Sequence, residues 1–165
     1  RRCDDSRKGE RSQAMNEWFE CSVRYEKTLE NGMQKYVSEP YLVEAMSFTE
    51  AEQRFIEEIQ PFMAGEYEVK AVAKRKISEL FEDDKELADK WFKCKVAFVT
   101  LDERSGIEKR KMQTMMVQAS DLRGAVKRLD KGMEGTMADY EIVSVSETAI
   151  MDVFHYKETE ASHGE

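Results

Sequence analysis

The stretch Trp18-Phe19-Glu20-Cys21-Ser22-Val23 returns 73 residues later as Trp91-Phe92-Lys93-Cys94-Lys95-Val96, and this return governs the reading of the whole chain. The same offset reappears near the ends of both halves, where Tyr67-Glu68-Val69 matches Tyr140-Glu141-Ile142, Val72 matches Val145, Ile77 matches Ile150 and Phe81 matches Phe154. Between these points one extra residue in the second half moves the offset to 74. Gly32 then aligns with Gly106, Lys35 with Lys109, Val43 with Val117, Ala51 with Ala125 and Arg54 with Arg128. Self-similarity at a fixed spacing predicts a tandem repeat of one supersecondary unit.

Working outward from the repeated stretch, Phe19, Cys21, Val23 and Tyr25 alternate with Glu20, Ser22 and Arg24, and Phe92, Cys94, Val96 and Phe98 do the same. A period of two marks a strand with one buried face. Glu30-Asn31-Gly32 and Arg104-Ser105-Gly106 supply hairpin turns into second strands ending near Ala45 and Val117. Ser47-Phe48-Thr49-Glu50 has the form of a capping box, and Phe48, Ala51, Phe55 and Ile59 follow at helical spacing. After Ser120-Asp121 the residues Leu122, Ala125, Val126 and Leu129 repeat that stripe. Tyr67–Val72 and Tyr140–Val145 read as strands, as do the stretches ending at Phe81 and Phe154. The expected fold is therefore α+β: a tandem duplication of a β-β-α-β-β unit with antiparallel sheets and one main helix per repeat. The first repeat spans residues 15–82 and the second 91–156, joined by a charged helical link over 83–90.

The 165 residues carry a formal net charge of -8 and only two prolines and eight glycines, which excludes linker-dominated and collagen-like chains. No apolar run approaches the roughly 18 residues of a membrane span. Three cysteines are too few and too scattered for a disulfide framework, which predicts a reducing cytoplasm. Residues 1–14 are polar and aperiodic and read as a disordered extension ahead of a start at Met15; residues 157–165 read as an acidic disordered tail.

No catalytic constellation is evident, and the expectation is a protein that is not an enzyme and needs no cofactor or metal. Cys21 and Cys94 lie one repeat apart on inward strand faces, where a small apolar core role suits them. Gly132–Met137 lacks the spacing of a phosphate-binding loop and fits a helix end and turn. The methionines Met112, Met115, Met116, Met133 and Met137 fit core filling better than an adaptable surface.

Charge is segregated more than it is abundant. Residues 15–69 and 132–165 are acidic, whereas residues 70–131 are basic, with Lys70, Lys74, Arg75, Lys76, Lys93, Lys95 and Lys109-Arg110-Lys111. Lys93 and Lys95 fall on the outward face of the strand opened by Trp91. Lysines beside an exposed aromatic suit single-stranded nucleic acid, so Trp91, Lys93 and Lys95 would engage strand and base while Lys109, Arg110 and Lys111 hold phosphate. The first repeat has Glu20 and Ser22 at these positions, and the overall acidity opposes a non-specific hold on a polyanion.

Trp18-Phe19-x-Cys21, Glu30-Asn31-Gly32, Ser47–Glu52 and Gly65–Val69 form one group of motifs. Trp91–Lys95, Thr100–Glu103, Lys131–Tyr140 and Ser144–Thr148 form a second. Over Met15 to Tyr156 they resemble an uncharacterised domain-of-unknown-function family of short proteins from Bacteroidetes-type bacteria, their phages and mobile elements. The resemblance implies a cytoplasmic protein linked to a phage or mobile element and brings no catalytic residues.

Three readings follow. The first is a non-enzymatic, self-associating (homodimeric) accessory protein that binds single-stranded nucleic acid through the basic sheet face. The second is an oligomer that sequesters an anionic small ligand, such as a nucleotide signal, with the aligned Arg54 and Arg128. The third is an inhibitor or adaptor that contacts a host or phage protein through its acidic faces.

Overall fold

The computed structural model describes residues 16–84 and 87–156. The two tails lie outside the described residues. The chain forms two compact units, one from residues up to Arg75 and from Asp152 onward, the other from Lys76 to Met151.

In the first unit, β1 (Glu17–Thr28) and β2 (Gln34–Ala45) form an antiparallel hairpin in unbroken register from Glu17 opposite Ala45 to Thr28 opposite Gln34. The turn closes where Asn31 Oδ1 accepts the Met33 N–H at 3.0 Å and Gly32 takes φ +84°. Helix α1 (Phe48–Ile59) follows, then a single 3-10 turn (Gln60–Phe62) and β3 (Tyr67–Arg75), which pairs antiparallel with β1. Ser47 Oγ caps α1 by accepting the Glu50 N–H at 3.1 Å. The other half of the expected capping box is displaced by one residue: Glu50 Oε1 accepts from Met46 N–H at 3.3 Å.

The second unit contains β4 (Glu79–Phe81), the hairpin β5 (Lys90–Leu101) and β6 (Glu108–Ala119), helix α2 (Leu122–Gly132), and β7 (Asp139–Glu147). Asp121 Oδ1 caps α2 by accepting the Gly124 N–H at 2.7 Å. Like β3 on β1, β7 pairs antiparallel with β5. The β1–β3 ladder slips at Ser22/Val23 and the β5–β7 ladder at Lys95/Val96.

The two-residue strand β8 (Val153–Phe154) lies parallel to β2 in the first unit, and β4 lies parallel to β6 in the second. The sheet orders are β3-β1-β2-β8 and β4-β6-β5-β7. Each short strand thus belongs to the sheet opposite to the one its sequence neighbours predict, so the compact units do not follow the boundaries 15–82 and 91–156. Turn chemistry explains the difference. Folding β4 back onto β3 needs a tight hairpin turn, and Lys76-Ile77-Ser78 offers no glycine, asparagine or aspartate to take the positive φ of such a turn.

Of the expected helical link over 83–90, residues 85–86 lie outside the described residues. Among the described residues, 82–84 and 88–89 have no regular structure, and Lys90 already belongs to β5. The Asp83 N–H donates to Gln118 Oε1 at 3.0 Å and Ala88 is buried, so tertiary anchors outweigh the helix propensity of this charged stretch.

Each core lies between one sheet face and its helix. Phe19, Cys21 and Val23 of β1 meet Val43 and Ala45 of β2 and Ala51, Phe55 and Ile59 of α1. Phe92, Cys94, Val96, Met115, Val117, Ala119, Ala125, Leu129 and Met133 form the second. Phe48 and Leu122, expected in the helical stripes, are about half exposed at the first turn of their helices. Met115 and Met133 are buried in the second core and Met116 is buried on the other face of the sheet, whereas Met112 and Met137 face solvent.

Phe81 of β4 lies against the last turn of α2, where Gly132 leaves the space it needs. A Cβ on Gly132 would stand 2.6 Å from Phe81 Cε1. Gly132→Ala is therefore expected to lower stability by about 1–3 kcal/mol, the usual cost of overpacking. A urea titration checks this, and an unchanged midpoint would show that the Phe81 ring moves aside freely.

Candidate functional site

The alternation of β5 that sends Phe92, Cys94 and Val96 into the core sends Lys93 and Lys95 to the opposite face of the sheet. Residues directly opposite each other in an antiparallel pair share a face. Lys93 stands opposite Met116 and Ser146, Lys95 opposite Thr114 and Ser144, and Val99 opposite Arg110. That face therefore carries Lys93, Lys95 and Arg110 among hydroxyl side chains. Arg110 Nη2 donates to Glu141 Oε2 at 2.9 Å, whereas Lys93 and Lys95 are exposed and, among the described residues, have no ion-pair partner. At the aligned positions of β1, Glu20 pairs with Arg75 at 3.5 Å and Ser22 carries no charge.

The six residues expected to bind nucleic acid are not brought together. Trp91 shares the parity of Lys93 and Lys95 but is only 2% exposed, which corrects the expected stacking surface. Its carbonyl accepts both the backbone N–H and the hydroxyl of Thr148, at 2.9 and 2.8 Å. Lys109 and Lys111, opposite Thr100 and Phe98, project on the helix side of the sheet and not beside Arg110. Exposed apolar groups on the Lys93 face are instead Met112 and Leu101.

Arg54 and Arg128 are engaged by the chain itself. Arg54 donates from Nη1 to Glu44 O at 3.0 Å and from Nη2 to His155 O at 2.7 Å, with its guanidinium 5.3 Å from the centre of the Tyr156 ring. Arg128 Nε donates to Glu82 O at 2.8 Å and lies 5.4 Å from the Phe81 ring centre. Each helix arginine thus holds the residue that follows a short parallel strand, His155 after Phe154 and Glu82 after Phe81. The correspondence of Arg54 with Arg128 and of Phe81 with Phe154 was visible in the sequence; their mutual contact was not.

Two open hollows accompany these elements. One, of about 980 Å³, lies in the first unit and is lined by Tyr25, Tyr36, Tyr67, Phe62 and Arg24, among others. The second unit has one of about 900 Å³ lined by Asp83, Asp84, Gly124, Lys127, Arg128 and Lys131, among others. The tyrosine cluster was missed by sequence reasoning because Tyr25, Tyr36 and Tyr67 are far apart in the chain.

Burial dominates the shifted acidities. The Cys21 thiol is pushed up to about 12 by burial, with Glu52 and Glu20 adding to the effect, and Cys94 to about 11 by burial alone. Burial and the neighbouring Glu39 carboxylate likewise raise the Tyr25 phenol to about 12. These thiols are poor nucleophiles at neutral pH. Among the described residues no group of three or more His, Cys, Asp or Glu side chains is placed to hold a metal ion, and no helix is long and apolar enough to cross a membrane.

Fold and site together define a two-unit α+β protein, each unit a four-stranded sheet backed by one helix. Residues 17–156 match the family model of a domain of unknown function, DUF4494, and the chain belongs to that family. No curated protein matches the chain.

Proposed function

We propose that this is a non-enzymatic binding protein whose second unit presents the Lys93–Lys95 sheet face to the backbone of a single-stranded nucleic acid. The observation that carries the reading is the pairing state of these lysines: both exposed, side by side on one face, bordered by Ser144, Ser146 and Thr114, and without a carboxylate partner among the described residues. Two cations alternating on one strand neutralise two phosphates, and bases then lie over Met112 and Leu101 in place of an aromatic ring. Lys109 and Lys111 contribute only a diffuse field from the other side of the sheet.

The matched strand orders and ladder slips support reading the fold as a duplicated β-β-α-β-β unit with its last strands exchanged. The chain's resemblance, on its sequence motifs, to an uncharacterised family of short proteins from Bacteroidetes-type bacteria, their phages and mobile elements supports reading it as a cytoplasmic accessory protein of such an element's nucleic-acid metabolism, and the segregation of charge supports self-association.

The test is fluorescence anisotropy of labelled single-stranded DNA and RNA against the protein and its Lys93→Glu/Lys95→Glu variant. Two neutralised phosphates give a slope of log affinity on log salt of about -1.4. Charge reversal is expected to weaken binding at least tenfold and to flatten that slope. Equal binding by the variant would overturn the assignment.

A further inference from the structure

Strand β4 covers only part of the edge of β6. It pairs with Met115–Val117, and Ser78 N–H and Oγ donate to Thr114 O at 2.8 and 3.2 Å. Because the backbone of Thr114 points away from β5, alternation directs the backbone groups of Met112, Arg110 and Glu108 to the same open side. Among the described residues no strand pairs with them. The matching edge of β2 is different. Leu42 N–H donates outward to Asp152 O at 3.0 Å, so by the same alternation Pro40 stands where an outward N–H is missing. Proline on an edge blocks the addition of another strand, and that block is absent from β6.

The side chains indicate what can add there. Lys109, Arg110 and Lys111 are consecutive and exposed, and Lys109 and Lys111 have no ion-pair partner among the described residues. Pairing of this edge with the same edge of a second copy would set these cations against each other. We propose that the open edge Glu108–Gln113 is a docking site for an extended acidic peptide. Such a peptide adds as a strand through the outward groups of Glu108, Arg110 and Met112, with carboxylates set against Lys109 and Lys111. This site uses the backbone edge of β6 and goes beyond the nucleic-acid reading of the Lys93 face.

The full chain is titrated into a fluorescein-labelled ten-residue peptide of alternating Glu and Val, with the Lys/Val peptide as counterpart. Binding of the Glu/Val peptide alone is expected, with hydrogen-exchange protection gained at Arg110 and Met112. Met112→Pro removes one outward N–H, as Pro40 does in β2, and is expected to lower affinity at least tenfold, whereas Met112→Ala retains it. If Met112→Pro does not fold, a Glu/Val peptide N-methylated at alternate residues replaces it and is expected to lose binding. Equal binding of the two peptides, undiminished binding by Met112→Pro or to the N-methylated peptide, or a dimer of the protein that Met112→Pro dissolves would overturn the proposal.

Discussion

Arg54→Ala is expected to destabilise the first unit by about 1.5–3 kcal/mol, the range for hydrogen bonds made by a charged group. Its guanidinium joins Glu44 O, at the end of β2, to His155 O, just past β8. The same segment is held by Tyr156 N–H donating to Glu44 Oε1 at 2.9 Å and by the stacking of Phe154 on Tyr41. The loss should therefore appear first at the segment and the strand it covers. Hydrogen exchange at Leu42, whose N–H donates to Asp152 O, is expected to accelerate together with that of Tyr156. Lys at position 54 should not rescue, because a single ammonium cannot span two carbonyls and lie against a ring. Arg128→Ala should cost less, since among the described residues Arg128 makes one such bond, to Glu82 O, beside its contact with Phe81. An Arg54→Ala protein as stable as the parent would return this residue to the role of a free ligand-binding cation.

Arg54 and Trp91 mark the point at which local sequence signals stop deciding the structure. Alternation in β1 and β5 predicts the buried face correctly because that signal is local: Phe19, Cys21 and Val23 face a helix whose stripe is equally periodic. Caps at Ser47 and Asp121 and hairpins at Gly32 and Gly106 are local too. Alternation says that Trp91 shares a face with Lys93 and Lys95, but exposure depends on what covers that face, and parity carries no such information. The destination of β4 and β8 is similarly non-local, since strands of three and two residues have too little pattern to select a sheet. Arg54 and Arg128 looked like ligand residues because they align, yet alignment equally marks equivalent structural roles. Together with Phe154 and Phe81 they serve one purpose, in which each helix holds a strand supplied by a distant part of the chain.

In a Cys3→Ser background, native Cys21 and Cys94 are expected to resist alkylation at pH 8 far beyond ordinary thiols. A thiol near its ordinary value of about 8.5 is roughly one-quarter ionised at this pH. With the Cys21 thiol pushed up to about 12 and Cys94 to about 11, the reactive fraction falls roughly two-thousandfold and roughly two-hundredfold. Both side chains are also fully inaccessible, so labelling should proceed only through opening of each unit and should rise steeply with urea. The same burial fixes the sign of the alkaline response. The folded chain keeps these protons to higher pH than the unfolded chain, so their contribution to stability is present below about pH 8.5 and is lost as pH rises toward 11 and 12. The urea midpoint should fall between pH 8 and pH 10.5, and Cys21→Ala/Cys94→Ala should flatten that fall while lowering the midpoint at pH 8 through lost packing. Rapid labelling of both thiols in the native protein would mean that the strand–helix layers open freely, and would place these cysteines among the reactive groups of the molecule, not its core.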